Sequence, residues 1–242
     1  MGIKRKLSDI IREIFFPEGI TCNVCGKELD KEQKEYSLCD ECNKGLVKIK
    51  DSVVIRGGHE TISAFRYEKT ARKYVLFYKD SGKPYIADYI GKYLAEKYAE
   101  SNIKADEVCF VPSSPSAIKR RGYDGMKYVA AKFSEITGVK LNENLFRKDG
   151  IDQTKVSNEK RFENVKDKFM SKGGFSGTVV ILDDVVTSGA TLGECADVIL
   201  SHGADKVVCL TFASACEPKT PTEESKTSTE EIKISACETK DK

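Results

Sequence analysis

The order of segments in this sequence predicts an α/β protein built around a parallel sheet. Three features carry the prediction. Short, continuous apolar runs such as Thr178–Leu182 are β-branched-rich and too short for ordinary helices. They alternate with longer segments of helical period, the pattern of βαβ units with strands buried on both faces. Two adjacent acids, Asp183 and Asp184, follow the most hydrophobic run, at the strand edge where open parallel sheets bind ligands.

Size and charge narrow the class. A chain of 242 residues holds one full domain with a small appendage, or two small domains, and can build a core without staples. Hydrophobic residues at 40% and charged residues at 32% are ordinary for a soluble globular protein. Lys plus Arg number 40 against 38 Asp plus Glu, a net charge of +2. That near-balance argues against bulk electrostatic capture of nucleic acid and leaves room only for a local patch. No run approaches the length of a membrane span. The basic start Lys4–Lys6 leads into a periodic segment, Leu7–Glu13, not the apolar block of a signal peptide. Position 6 is Lys where a myristoylation motif needs Ser or Thr. A cytoplasmic location without membrane insertion is expected.

The chain divides into three regions. Residues 1–50 hold a helix and paired cysteines, 51–216 hold the alternating segments, and 217–242 form a polar tail. In the first, Ile3, Leu7, Ile10, Ile11 and Ile14 recur at helical spacing before Pro17. The polar face mixes acids with bases, so the helix reads as packed on its own protein, not on a membrane surface. In the second, Thr61–Tyr67 alternates like a strand, and helical period follows in Glu68–Lys79 and Tyr85–Tyr98. Glu107–Val111 is a buried strand stopped by Pro112. Tyr123–Ile136 is helical and ends before Gly138. After strand Thr178–Leu182, Leu192–His202 is helical with Gly203 fitting a C′ cap, and Lys206–Phe212 is the last strand. Of the 26 tail residues only Ile232, Ile234, Ala236 and Cys237 are apolar. That is too little buried surface to offset chain entropy, so disorder is expected there.

Nine cysteines are many for the cytoplasm, and four form the pairs Cys22-x-x-Cys25 and Cys39-x-x-Cys42, thirteen residues apart. Two short loops giving two thiolates each can close a tetrahedral cage around zinc. Gly26 stands where the first loop needs a tight turn. Four reduced thiols are the bland alternative. A thioredoxin-type pair fits less well, because neither pair opens a helix after a buried strand. Four thiolates leave no open coordination position, so the site reads as structural, and the module caps the larger domain, binds a protein or binds nucleic acid. Cys109, Cys195, Cys209 and Cys216 read as small buried hydrophobes or ordinary thiols.

The richest segment is Val179–Thr191. After the acids come Val185, Val186 and the small hydroxyl loop Thr187-Ser188-Gly189-Ala190-Thr191, leading into a helix. Backbone N–H groups of such a turn, backed by a helix N-terminus, cradle phosphate. The acids suit ribose hydroxyls or a magnesium ion. Neither a Walker loop nor a dinucleotide glycine motif occurs. The combination reads as a sugar-phosphate site; a plain strand-turn-helix with a polar cap is the alternative and needs neither acid.

Residues 179–191 resemble the phosphoribosyl pyrophosphate (PRPP) motif of type I phosphoribosyltransferases. The cysteine quartet resembles that of the ComF (GntX-like) subfamily. Val111-Pro112 with Lys119-Arg120-Arg121-Gly122-Tyr123-Asp124 resembles its Val-Pro…Arg-Gly-Phe-Asn-Gln segment. Gln153-Thr154…Ser157…Arg161…Asn164-Val165…Phe169 resembles its Gln-Thr…Ser…Arg…Asn-Val…Phe segment. The resemblance covers about residues 8–215. It implies a Rossmann-like parallel sheet of the type I phosphoribosyltransferase fold, with a hood, a flexible loop over about 147–160 and a small N-terminal zinc module. It implies catalytic roles for Asp183, Asp184 and Arg121. It implies PRPP binding by Asp183, Asp184, Val185, Thr187, Ser188, Gly189, Ala190 and Thr191, with Ser113, Ser114 and Arg120 at the pyrophosphate, inside a loop Pro112–Ser116. Asp124-Gly125 stands where the subfamily has Asn-Gln and adds a negative charge near a polyanion.

The implied cofactors are structural Zn2+ at Cys22, Cys25, Cys39 and Cys42, and Mg2+ with PRPP. The resemblance also implies a role in natural competence. The alternative it leaves open is a non-catalytic DNA-uptake accessory protein, with single-stranded DNA and a helicase-like ATPase as partners. Lys119–Arg121 alone is a weak nucleic-acid signal. His59 and His202 are the only histidines, so no Ser/His/Asp nucleophile is in evidence. His202 reads as a helix-end residue.

Overall fold

The computed structural model describes residues 21–30, 33, 35–148 and 168–216. The expected helix at 3–14, most of the expected flexible loop, and the tail with Cys237 lie outside the described residues. The elements in order are α1 (Asp40–Lys44), β1 (Val53–Val54), β2 (Glu60–Arg66), α2 (Lys69–Asp80), α3 (Tyr85–Glu100), β3 (Glu107–Phe110), α4 (Pro115–Arg121) and α5 (Gly125–Thr137). There follow β4 (Lys140–Leu141), β5 (Leu145–Arg147), β6 (Phe169–Ser171), β7 (Thr178–Val186), α6 (Ala190–Ser201) and β8 (Lys206–Ser214).

The six-stranded sheet runs β1-β2-β8-β7-β3-β4. The β1–β2 pair is antiparallel and every other pair is parallel. The fold class is the expected one, mixed α/β around a mostly parallel sheet. Apolar residues on β7 and β8 alternate between two cores. Val180 and Leu182 with Val208, Leu210 and Phe212 pack under α2, α3 and α5. Val179 and Ile181 with Val207 and Cys209 pack under α6 and the β5–β6 pair. This is why the strands read as continuous apolar runs.

The connections fix where a ligand can bind. From β3 the chain leaves through α4 and α5 to β4 on one side; from β7 it leaves through α6 to β8 on the other. The switch point therefore falls between the neighbours β3 and β7. The crevice beyond their C-terminal ends is the favoured ligand site of an open parallel sheet.

Two boundaries differ from expectation at this edge. The strand expected to stop at Leu182 continues to Val186, because β8 runs beside it and pairs Asp183 with Thr211 and Val186 with Ser214. On its other side β3 ends opposite Leu182, so the acids lie beyond that neighbour and face the crevice. Likewise β8 runs on to Ser214. The expected loop Pro112–Ser116 is a loop only to Ser114, which caps α4: its Oγ accepts from the Ala117 N–H at 3.2 Å, with Pro115 opening the helix. Ser-Pro at Ncap–N1 is a start signal that competes with a loop reading.

The cysteine module belongs to the same core. Cys22, Leu29, Leu38, Cys39 and Leu46 cluster with residues of α2, α3 and the sheet. Tyr36 stacks on Tyr93 of α3 at 4.4 Å, and its hydroxyl donates to Glu96. From Tyr93 the rings of Phe65, Phe212 and Tyr74 continue into the sheet. No helix among the described residues is long and apolar enough to cross a membrane.

Candidate functional site

The crevice between β3 and β7 holds a cleft of about 260 Å³, with Ser113, Ser114, Arg121, Asp183, Asp184, Val185 and Thr191 among its lining residues. Strand alternation turns the acids apart. Asp184 shares parity with Val180 and Leu182, on the α2 face; Asp183 shares it with Ile181, toward α6. Asp184 is buried and accepts from the Lys79 ammonium at 2.8 Å. Asp183 is half-buried, and its Oδ1 accepts the Asp184 N–H at 2.8 Å. Burial first, then the charge of Asp184, push the Asp183 carboxyl up to about 8.

After β7 the chain turns at Gly189, whose φ of +72° opens α6. A Cβ there would also meet the Ile55 side chain of the β1–β2 turn at 2.6 Å, so only glycine suits this position. The turn is pinned over α6 by His59, whose buried ring bonds Asp197 at 3.0 Å. Thr187 and Ser188 are exposed at the mouth of the loop, and the Cys216 thiol donates to the Thr187 carbonyl at 2.7 Å. Cys109, Cys195 and Cys209 are buried as expected.

The β3 side is organised by Asp124. Its carboxylate accepts from Ser113 Oγ at 2.7 Å and from the Met126 N–H at 3.1 Å, capping α5. The extra negative charge noted at this position is thus spent on a cap and on the loop. Gly125 has a steric cause: a Cβ there would run into the Tyr78 hydroxyl. Tyr78 is fully buried, and its hydroxyl has no hydrogen-bond partner among the described residues. Its ring carries the Arg121 guanidinium at 5.5 Å, and Arg121 Nε donates to the Lys79 carbonyl at 3.1 Å. Arg120 is not among the lining residues; it lies 62% exposed, 3.9 Å from Asp80.

Four lining residues, Ala117, Met126, Arg147 and Lys79, escaped the sequence reading. Met126 opens α5. Arg147 stood only at the edge of the expected flexible loop; it ends β5 and lies over the Phe169 ring at 5.5 Å. Lys79 lies in the last turn of α2, where a cation reads as an ordinary helix-end charge, 105 residues from the acid it meets. Nothing local marks it.

The second site is the cysteine quartet. The four Sγ atoms all lie within 4.8 Å of one another, with Cys25 and Cys39 at 3.6 Å. A zinc–sulfur bond of about 2.3 Å puts tetrahedral sulfurs about 3.8 Å apart, so the cluster fits one ion. The Cys22 N–H bonds the Lys27 carbonyl, and Gly26 takes a φ of +77°. Cys39 stands at the N-cap position of the five-residue α1, and a loop, not a strand, precedes it. Burial opposes ionisation of Cys22, but backbone N–H donors from Cys39, Cys25 and Val24 outweigh it and bring the thiol down to about 7. Burial and the neighbouring sulfurs hold Cys42 well up. Four thiolates would need a cation to coexist.

Neither protein-family models nor curated proteins give a match to the chain. Solved structures give distant likenesses. Glutamine PRPP amidotransferase from B. subtilis, complexed with ADP and GMP, is 22% identical at a TM-score of 0.38, over 59% of this chain and 27% of that one. Orotate phosphoribosyltransferase from Aeropyrum pernix is 18% identical at 0.36, over 71% and 77%. Adenine phosphoribosyltransferase from Leishmania tarentolae is 11% identical at 0.38, over 68% and 94%. The chain thus spans only about a quarter of the amidotransferase's length. The α/β class rests on the strand order itself, and the cleft at its switch point brings acids and cations together in one crevice.

Proposed function

We propose that this protein binds PRPP and magnesium in the β3–β7 cleft and is a phosphoribosyltransferase. One observation supports the reading above the others: a vicinal acid pair, a glycine-opened helix N-terminus and a cationic wall share the switch-point crevice. Asp183 and Asp184 would accept from the ribose hydroxyls. Thr187, Ser188, Gly189, Ala190 and Thr191 would hold the 5-phosphate at the start of α6. Ser113 and Ser114 would receive the pyrophosphate, with Arg121 and Lys79 facing it.

Displacing pyrophosphate from C1 develops positive charge on the sugar and negative charge on the leaving group. Positioning and electrostatics supply most of such catalysis. Asp183 and Asp184 anchor the ring below the cationic centre, and the guanidinium of Arg121, held by Tyr78 and the Lys79 carbonyl, stabilises the departing charge. Magnesium carried by the pyrophosphate would offset its remaining charge. The acceptor is a nitrogen nucleophile.

Membership of the ComF subfamily and a competence role, with single-stranded DNA and a helicase-like ATPase as partners, draw support from the sequence resemblance alone. The packing of the cysteine module against α3 favours a stabilising cap as its first role.

Calorimetric titration of PRPP with magnesium tests the reading, with wild type compared to Asp183→Asn/Asp184→Asn. Micromolar binding lost in the double variant is the expected result. No heat from folded, zinc-loaded wild type would overturn it and move attention to the DNA-uptake role.

A further inference from the structure

Among the described residues Lys79 is the one cation in direct contact with the acid pair, and it comes from outside every segment that motif reading picks out. Its ammonium meets Asp184 Oδ1 at 2.8 Å, with the lysine side chain 33% exposed and the aspartate 12%. Among the described residues Asp184 is its only side-chain partner. An ammonium has three donors, and two of them meet no acceptor among the described residues. The backbone below is fixed, because the Lys79 carbonyl accepts from Arg121 and α2 is buried through Tyr74, Val75 and Tyr78. A compact charge on a flexible stem, rooted in a fixed helix end, is built to change partners.

The charges in the cleft give that change a direction. Lys79, Arg121 and Arg147 face Asp183 and Asp184. In the free protein the Lys79–Asp184 pair ties up one charge of each sign, so that Asp184 is held from a cation and Lys79 from a phosphate. We infer that Lys79 binds ligand by exchange: its ammonium holds the Asp184 carboxylate in the free protein, and passes to a phosphate oxygen when a divalent cation or ribose hydroxyl takes that carboxylate. The inference rests on the proposed function for the identity of the phosphate, and on geometry for the exchange. No bond is made or broken; one charge-assisted hydrogen bond replaces another.

Two probes that need no PRPP test it on the zinc-loaded full chain. Mn2+ binding is followed by electron paramagnetic resonance, and inorganic pyrophosphate binding by calorimetry in magnesium. Lys79→Met is expected to bind Mn2+ about tenfold tighter and pyrophosphate about tenfold weaker, the order set by one charge-assisted hydrogen bond. Lys79→Arg, which keeps the charge, is expected to stay near wild type for Mn2+. Should the methionine variant not fold, Lys79→Gln replaces it, keeping a hydrogen bond to Asp184 without charge. Unchanged Mn2+ affinity, unchanged pyrophosphate affinity, or no pyrophosphate binding by wild type overturns the exchange. Both shifts in a protein that ignores PRPP would keep the exchange and reject the PRPP reading. PRPP binding with neither shift would do the reverse.

Discussion

Replacing Asp183 with Asn should stabilise the fold while abolishing its proposed ligand binding. The carboxyl is raised from 3.8 to about 8, by burial first and then by the adjacent Asp184 charge. At about 1.4 kcal/mol per unit, four units set a ceiling of about 6 kcal/mol against the folded state. Asp183 is only half-buried and lines an open cleft, and solvent there reduces the cost to about 2 kcal/mol. The sign follows from proton counting. Between pH 3.8 and about 8 the native state holds a proton that the unfolded chain has lost, so wild-type stability falls across that window. Asparagine carries no such cost. Its advantage should be near zero below about pH 4, grow up to about pH 8 and stay level beyond, reaching about 4–8 °C in Tm for a chain of this size. Thermal melts of both proteins across that range, beside PRPP calorimetry, provide the assay. An Asn variant that melts lower at neutral pH, or a difference that does not vary with pH, would refute the reasoning.

Three further outcomes are expected. Removing zinc with a chelator, or Cys39→Ser, should lower Tm by several degrees and expose Tyr36 and Tyr93, because the module is packed into the main core; metal analysis should first give one zinc per chain, and a melt indifferent to chelation would contradict the cage. Gly189→Ala forces a side chain into a left-handed backbone and onto Ile55, so stability should fall by about 1–3 kcal/mol and phosphate affinity with it, as read by denaturant titration and calorimetry. Burial of Glu107 raises its carboxyl, but hydrogen bonds from Lys140 and Asn142 outweigh it and hold the group below 4.5. Its contribution is full above that value and is lost as pH falls through the lower native one. Wild type should therefore lose its lead over Glu107→Gln in acid melts, and a lead that persists there would count against the pair.

How much of this was legible beforehand depended on range. The strands at 107–111, 178–182 and 206–212 could be read because each run is apolar on both faces, and the one at 61–67 because it alternates, properties of the runs alone. The acid pair and the small-residue turn could be read for the same reason: seven residues within Asp183–Thr191 carry the chemistry. The Cys-x-x-Cys spacing likewise encodes its own loop geometry, and the four sulfurs do converge. Strand ends were less legible, since β7 outruns Leu182 only because β8 lies beside it.

What tertiary structure alone decided is which distant charges share the cleft. Lys79 reaches Asp184 because α2 crosses the face to which strand parity turns that acid. Arg120 and Arg121 are neighbours in sequence, yet the α4 helix sends one to Asp80 at the surface and the other onto Tyr78 in the cleft. Asp124 became a cap and a loop anchor because Ser113 and Met126 lie within reach of its carboxylate. Local pattern sets what each segment can be, since backbone period and turn chemistry act over a few residues. Contacts between segments depend on strand order and helix crossing, and a single sequence carries no local record of either.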